Sequence, residues 1–357
     1  MLLFDPGSNA RPDPSTDYEA DAVAFCRAWQ SGQTDFTLHT SGSTGAPKPI
    51  TLTRRQMQAS ARLTGQTFGL QPGDSILVCL NIRYIAGVMM LVRGLELGLP
   101  MTIIEPAANP LTDFDPATTR FAFTAFVPLQ LQTILTDSPE KLPIINGAKA
   151  ILVGGAATSP VLEQALQAIT APVYATYGMT ETVSHIATRR LNGPPIDATD
   201  TDVFTALAGV DLGVDERDCL TIRAAASDFQ LIQTNDVVEL ITPVRFRLLG
   251  RADTIINSGG VKIQPERIER LIQTTLSRSG EAPRLFVAGI PDERLGQRVV
   301  VFVENQSLDA NLWARIQAII RAELGAYWVP RELVHVGRFA ETPTGKVDKL
   351  ATMGLKS

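Results

Sequence analysis

The chain is poor in the residues that usually give a protein class away. Its three cysteines, Cys26, Cys79 and Cys219, are isolated and odd in number. They match neither a disulfide framework nor CxxC metal spacing, and a reducing cytoplasm is the expected compartment. Lysine and arginine form no block, and the formal net charge is −5. Nothing here could track a phosphate backbone or dock on an anionic membrane, so no nucleic acid partner is expected. No apolar run is long enough to span a bilayer, and the opening "MLLFDPGSNARPDP", with Asp5 and Pro6 early, has no apolar core of signal-peptide length. No integral membrane association is expected. Internal repeats and long low-complexity tracts are also missing. What remains, at 45% hydrophobic and 19% charged residues over 357 positions, is the composition of an ordinary globular protein of roughly two domains.

Its organisation can be read from spacing. After a polar leader, Thr16 stands three residues before Glu19 and opens a helical pattern through Val23 and Cys26. A second T-x-x-Q box, Thr53 to Gln56, with Leu52 and Met57 placed as a hydrophobic staple, predicts a helix running to Phe68. Apolar runs then alternate with helical patterns: "SILVCL", "YIAGVMMLVRGLELG", "PMTIIEP", "FAFTAFVP", "LQLQTILTD", "AKAILVGG", "SPVLEQALQAIT" and "PVYATYG". That rhythm predicts a mainly parallel sheet flanked by helices, with ligands bound in the loops at the strands' carboxyl ends. Past about residue 200 come short β-like pieces, "CLTIRA", "DFQLIQT", "VVELI" and "RFRLLGR".

The fold expectation is therefore α/β. A large domain, residues 1–250, should combine the parallel sheet with a β-rich portion. A small, mobile α+β domain, residues 251–357, should follow a hinge near Asp253. The first carries 17 basic and 25 acidic side chains and the second 15 and 12. A lid over an anionic ligand would use that asymmetry.

Four segments carry candidate chemistry. In "TSGSTGAPK", the backbone N–H groups around Gly42 and Gly45 can form an anion-binding nest. The hydroxyls of Thr40, Ser41, Ser43 and Thr44 add donors, and Lys48 adds a charge. By composition alone a Ser/Gly/Thr linker fits equally well. "TYGMTET" offers Gly178, hydroxyls and Glu181 on a strand-end loop. A carboxylate there can hold Mg²⁺ against phosphate oxygens and Tyr177 can stack on a flat ring, although a surface glutamate reads the same. "TND" with "GRAD" supplies Asp236 and Arg251, suited to ribose hydroxyls or to an ordinary ion pair. "PTGK" ends on Lys346, by itself a lysine in a turn.

Taken in order, these segments resemble the motifs of the adenylate-forming superfamily: acyl-CoA synthetases, adenylation domains of peptide synthetases, and luciferases. "TSGSTGAPK" is similar to its phosphate loop, "YGMTET" to its adenine and magnesium motif, and "TND" to its T-G-D. "LGRADTIINSGGVKIQPERIE" is similar to its hinge and thioester-side motif, and "PTGK" to its catalytic-lysine loop. The resemblance covers residues 38–350. "YIAGVMML" and "YGMTETVSHIA" look most like the o-succinylbenzoate–CoA ligase family of menaquinone biosynthesis, in a shortened form.

The resemblance implies a two-step reaction of a small-molecule carboxylic acid with ATP, Mg²⁺ and coenzyme A. An acyl-adenylate and pyrophosphate form first; a thiol then displaces AMP. It implies that Lys346 bridges the attacking carboxylate and the α-phosphate, that Thr40–Gly45 and Lys48 hold the β- and γ-phosphates, and that Glu181 holds Mg²⁺ with Thr180 near the α-phosphate. Gly154, Gly155, Ala156, Tyr177 and Gly178 would line adenine. Asp236 and Arg251 would bind ribose, Asp253 would be the hinge, and Ser258, Gly259 and Gly260 would face the thiol. A substrate with a second carboxylate needs a cation or hydroxyls in its pocket, for which Arg83, Tyr84, Ser184 and His185 are the candidates.

This chain departs from the family in three places. Only 39 residues precede Thr40 where members carry well over a hundred, Asn235 stands for the usual glycine before the ribose acid, and Tyr84 occupies the expected histidine position. Loading of a carrier-protein thiol is the rival chemistry, and a non-catalytic nucleotide-binding paralogue the rival class.

Overall fold

The computed structural model describes residues 1–8, 12–39, 49–194, 202–278, 283–305, 308–341 and 347–354. In chain order the first elements are β1 (Leu2–Phe4), α1 (Asp17–Gln30), β2 (Asp35–His39), β3 (Pro49–Thr53), α2 (Arg54–Phe68), β4 (Ile76–Val78), α3 (Ile85–Leu97), β5 (Met101–Ile103) and β6 (Phe123–Phe126). Next come α4 (Pro128–Asp137), β7 (Ala150–Val153), α5 (Pro160–Ala165), β8 (Val173–Gly178), β9 (His185–Arg190), β10 (Val203–Ala206), β11 (Asp211–Val214), β12 (Cys219–Arg223), β13 (Ile232–Thr242) and β14 (Arg245–Arg251). The remainder comprises β15 (Ile256–Ser258), β16 (Val261–Ile263), α6 (Pro265–Arg278), β17 (Leu285–Asp292), β18 (Gly296–Glu304), α7 (Ala310–Glu323), β19 (Glu332–Val336) and α8 (Lys349–Gly354). Among the described residues no helix is long and apolar enough to cross a membrane.

Helix boundaries follow their chemistry. At α2 the capping box is complete: Gln56 N–H donates to Thr53 Oγ1 and Thr53 N–H donates to Gln56 Oε1, at 3.3 and 2.9 Å. Leu52 and Met57 lie in one buried cluster, as a staple requires, and Gly69 at φ 63° ends the helix. At α1 only half of the expected box forms. Thr16 accepts from Glu19 N–H, but the Glu19 carboxylate takes Ser15 N–H and Oγ–H, both at 2.7 Å. The leader is not wholly irregular either, since Leu2–Phe4 pairs antiparallel with β5.

One 12-stranded sheet runs β1-β5-β4-β6-β7-β8-β9-β10-β14-β13-β12-β11. From β5 to β8 neighbouring strands are parallel, and from β8 onward they are antiparallel. The parallel sheet and the β-rich portion expected from sequence are therefore halves of one structure. "DFQLIQT" and "VVELI" belong to a turn and the single long strand β13 rather than to two strands.

The parallel half is buried on both faces, because adjacent strand residues serve different clusters. Leu77, Ile151 and Val153 pack with Leu131 of α4 and Leu162 of α5, whereas Ile76, Val78 and Leu152 pack with Val23 of α1 and Met90 of α3. The antiparallel half curls. Tyr177 on β8 and Asp236 on β13 are four strand steps apart, about 19 Å in a flat sheet, yet their side chains meet at 2.6 Å. A half-barrel results, filled by Tyr177, Ile186, Leu220, Ile222, Val238 and Phe246.

β2 and β3 form a separate hairpin. β15 to β19 make a second sheet whose core includes Ile268, Ile272, Val301 and Ile320. The first sheet ends at Arg251 and the second begins at Ile256.

Candidate active site

The loops at the carboxyl ends of β7 and β8 lie side by side. Gly154 has no room for a side chain, because a Cβ there would stand 2.7 Å from Thr176 Oγ1, and Gly155 has a left-handed φ of 84°. Gly178 is needed for the same steric reason: a Cβ would reach 2.3 Å from the Ser184 carbonyl oxygen. Ala156, Gly178 and Glu181 are exposed around this opening, and Thr180 is partly so.

Tyr177 donates its hydroxyl proton to Asp236 Oδ2 at 2.6 Å, and Arg251 Nη1 donates to Asp236 Oδ1 at 3.1 Å. Burial, reinforced by the Asp236 charge, pushes the phenol far above its usual range and keeps it a donor. Its ring packs edge-on against Phe246 at 5.1 Å. Arg251 also grips Asp253 through Nε and Nη2 at 2.9 and 2.8 Å, which holds the Asp253 carboxyl below its ordinary range. The candidate ribose pair and the candidate hinge residue thus share one guanidinium. Asn235, in place of glycine, accepts from Arg217 Nη1 at 3.2 Å.

Between Glu181 and His185 the backbone makes a strained reversal. Val183 is buried and β-branched, yet has φ 65° and ψ −54°, and Ser184 N–H donates to the Thr182 carbonyl at 2.7 Å. This γ-turn is sterically costly for such a residue. Its effect is to leave Glu181 in the open and turn Ser184 and His185 inward.

They meet an arginine there, but not the expected one. Arg83 lies in the turn before α3, its side chain 77% exposed, with Asp21 at 3.9 Å. Tyr84 stands at the N-cap of α3 with no side-chain capping bond. The residue beside Ser184 and His185 is Arg93, on the buried face of α3 and 3% exposed. Its Nη2 donates to Ser184 Oγ at 2.9 Å and its Nε to Thr64 Oγ1 at 3.2 Å. Among the described residues Nη1 has only Met90 Sδ, at 3.6 Å. Ser60 Oγ lies 2.8 Å from Ser184 Oγ. No carboxylate is among these partners. Burial lowers the Arg93 pKa to about 10, which leaves it charged at neutral pH. The sequence signal for Arg93 was a lone arginine inside the apolar helix "IAGVMMLVRGLEL".

His185 Nδ1 is 3.5 Å from Arg93 Nη2. A donor there makes Nδ1 the acceptor and puts the ring proton on Nε2, which is buried without a partner among the described residues. Burial, then the Arg93 charge, drives the imidazole pKa well below its ordinary value. Because the unfolded chain then binds the proton that the folded chain refuses, this stabilisation is complete above about pH 6.5 and is lost as pH falls toward the folded pKa. We expect denaturant midpoints to drop between pH 7.5 and 5.5 in the wild type and to drop distinctly less in His185→Gln. Equal slopes in the two proteins would rule out His185 as the titrating group.

The segments 40–48 and 342–346, with Thr40, Ser41, Gly42, Ser43, Thr44, Gly45, Lys48 and Lys346, lie outside the described residues. Their flanks are described. His39 pairs with Pro49 across the β2–β3 hairpin, and Glu341 bridges to Val347.

Among the described residues no group of three or more His, Cys, Asp or Glu side chains could hold a metal. One exposed carboxylate, Glu181, fits a Mg²⁺ that takes its other ligands from phosphate and water. Gly259 and Gly260, at φ 59° and 82°, are the two-residue turn joining β15 to β16, so both glycines have a backbone reason to be there.

A large α/β sheet, with an acid–arginine pair bonded between two of its strands, is followed by a smaller α+β unit. The chain belongs to the AMP-binding enzyme family, whose model matches residues 5–217, and the family's C-terminal domain model matches residues 274–346. A "Probable 2-succinylbenzoate--CoA ligase" of Mycobacterium tuberculosis is 31% identical over 87% of this chain and 82% of its own. The 2-succinylbenzoate–CoA ligase of Escherichia coli is 25% identical over 88% of this chain and 69% of its own. Among solved structures, an acyl-CoA synthetase (AMP-forming)/AMP-acid ligase II-like protein from Dyadobacter fermentans is 42% identical over the whole of both chains, with a TM-score of 0.66. The O-succinylbenzoate coenzyme A synthetase of Bacillus subtilis, in complex with ATP and magnesium ion, shares the fold at a TM-score of 0.70 and 20% identity, over 89% of this chain and 69% of its own.

Proposed function

We propose that this chain is an ATP-dependent carboxylate–CoA ligase whose acid carries a second carboxylate, and that the acid is o-succinylbenzoate. The observation that carries the reading is Arg93, a buried cation with no acidic partner among the described residues, beside Ser184, Thr64 and a neutral His185, with Ser60 behind Ser184. An unpaired buried charge is costly, by several kcal/mol. An incoming carboxylate supplies the missing counter-ion, reached through Nη1, which among the described residues contacts only the weak acceptor Met90 Sδ. The names of the relatives in M. tuberculosis and E. coli support the same acid.

In the first step the other carboxylate of the acid attacks the α-phosphorus of ATP. A P–O bond forms, the bond to the bridging oxygen breaks, and pyrophosphate leaves. Lys346 stands between the two anions, Thr40–Gly45 and Lys48 hold the departing phosphates, and Glu181, with Thr180 beside it, holds Mg²⁺. Gly154–Ala156, Tyr177 and Gly178 border adenine; Asp236 accepts from the ribose hydroxyls beside Arg251. In the second step the coenzyme A thiol attacks the acyl carbon past Ser258–Gly260, the acyl–phosphate bond breaks and AMP leaves. Between the two steps residues 251–357 swing about Asp253.

The test is a panel of acids, o-succinylbenzoate, benzoate and a medium-chain fatty acid, each with ATP and coenzyme A. We expect acid-dependent AMP release and a soluble thioester from o-succinylbenzoate, at least about 100-fold above benzoate in kcat/KM. Preference for either monocarboxylic acid would remove the second-carboxylate reading. AMP release without any soluble thioester would remove coenzyme A as the acceptor.

A further inference from the structure

We infer that Thr64, with Ser60 one helical turn before it, is a positioning residue for the Arg93 guanidinium, so that α2, the helix leading directly out of the phosphate-loop hairpin, sets the geometry of the acid pocket. The inference rests on the proposed role of Arg93.

Residues at i and i+4 share one face of a helix, and Ser60 and Thr64 are both buried, at 3% and 1% exposure. Thr64 donates its hydroxyl proton to the Ser60 carbonyl at 3.0 Å. That bond leaves the Oγ1 lone pairs turned outward, where Arg93 Nε donates at 3.2 Å. Ser60 Oγ in turn lies against Ser184 Oγ, which accepts from Arg93 Nη2. One face of α2 thus holds Nε directly, through Thr64, and Nη2 indirectly, through Ser60 and Ser184, which leaves Nη1 as the nitrogen for a ligand. The close approach has a cause one residue on. Gly65 has no Cβ, and one placed there would stand 2.9 Å from Leu97 Cδ1 of α3. Because α2 starts at the capping box on Thr53, directly after β3, the segment that leads out of the phosphate loop and the segment that aims the acid-binding cation are continuous.

The test compares Thr64→Val, which keeps the shape and removes the acceptor, with Thr64→Ser, which keeps the hydroxyl. Arg93→Met is run in the same acid-dependent pyrophosphate-exchange assay. Thr64→Val should raise the KM for o-succinylbenzoate about 10-fold, the effect of a lost hydrogen bond to a charged group. Its KM for ATP and its kcat/KM for benzoate should stay within about twofold, and Thr64→Ser should restore the wild-type KM. A parallel change for ATP and acid, no change at all, or a serine variant as impaired as the valine one would each overturn the inference. If Arg93→Met destroys the preference for o-succinylbenzoate and Thr64→Val does not, positioning by Thr64 is wrong and the proposed function stands. If Arg93→Met leaves the preference intact, both fall.

Discussion

Replacing Lys346 with alanine is expected to lower acid-dependent ATP–pyrophosphate exchange by at least about 100-fold while leaving thioester formation from supplied acyl-adenylate within a few-fold of wild type. The asymmetry follows from where charge lies in the two half-reactions. A carboxylate and a triphosphate are both anions, and their approach needs a cation between them. Two unit charges 4 Å apart interact by about 1 kcal/mol in water but about 4 kcal/mol at an effective dielectric near 20. In the proposed mechanism a lysine that arrives as water leaves would therefore act mainly on the first barrier. The second step has a neutral acyl carbon, an incoming thiol and AMP as leaving group, with pyrophosphate already gone. Retained exchange activity in Lys346→Ala would dismiss the assignment, and equal loss in both half-reactions would make the residue structural.

Arg93→Met should have the other large effect, and it should fall on the acid alone. Methionine fills much of the same volume in the apolar surroundings of α3, beside Met89 and Met90, so the fold should survive. Removing an unpaired buried cation can even raise stability. The kcat/KM for o-succinylbenzoate should fall by about 100- to 1000-fold, because its distal carboxylate would enter a dry pocket without a counter-ion. That for benzoate should stay or rise. Measuring both acids at saturating ATP decides the matter. A uniform loss for both would show that Arg93 supports the fold rather than selecting the acid.

The sequence was most legible where local chemistry decides local structure. The Thr53–Gln56 box, the Leu52–Met57 staple and the run of buried strands from "SILVCL" to "PVYATYG" could be read directly, since each depends on neighbours a few residues away. Asp236 and Arg251, 15 residues apart, were paired by motif and are bonded in the fold. Two features were not legible. The choice between Arg83 and Arg93 turns on which side of α3 faces inward. An arginine next to Tyr84 looked placed for the pocket, but the helix begins at Ile85 and leaves Arg83 in solvent, while Arg93 falls on the inner face. The contact of Tyr177 with Asp236 depends on the curl of a sheet, a property of many strands together. No short window of sequence contains it.

That curl has a bearing on how the enzyme can vary. The hydrogen bond from Tyr177 to Asp236 is the clasp of an arc whose radius is set by the rings of Phe204 and Phe246 inside it. The position of Asp236 relative to the loop after β8 is therefore a matter of interior volume. Close-packed interiors transmit small changes in side-chain size, whereas exposed loops absorb substitutions locally. Drift in the turns after β7 and β8 can be neutral, while trimming Phe204 or Phe246, whose rings lie against Tyr177, is expected to shift Asp236 without altering either of the two bonded residues. If Asp236 has the proposed role, the hydrophobic filling of the half-barrel is a place where nucleotide affinity can change with no substitution at Tyr177 or Asp236.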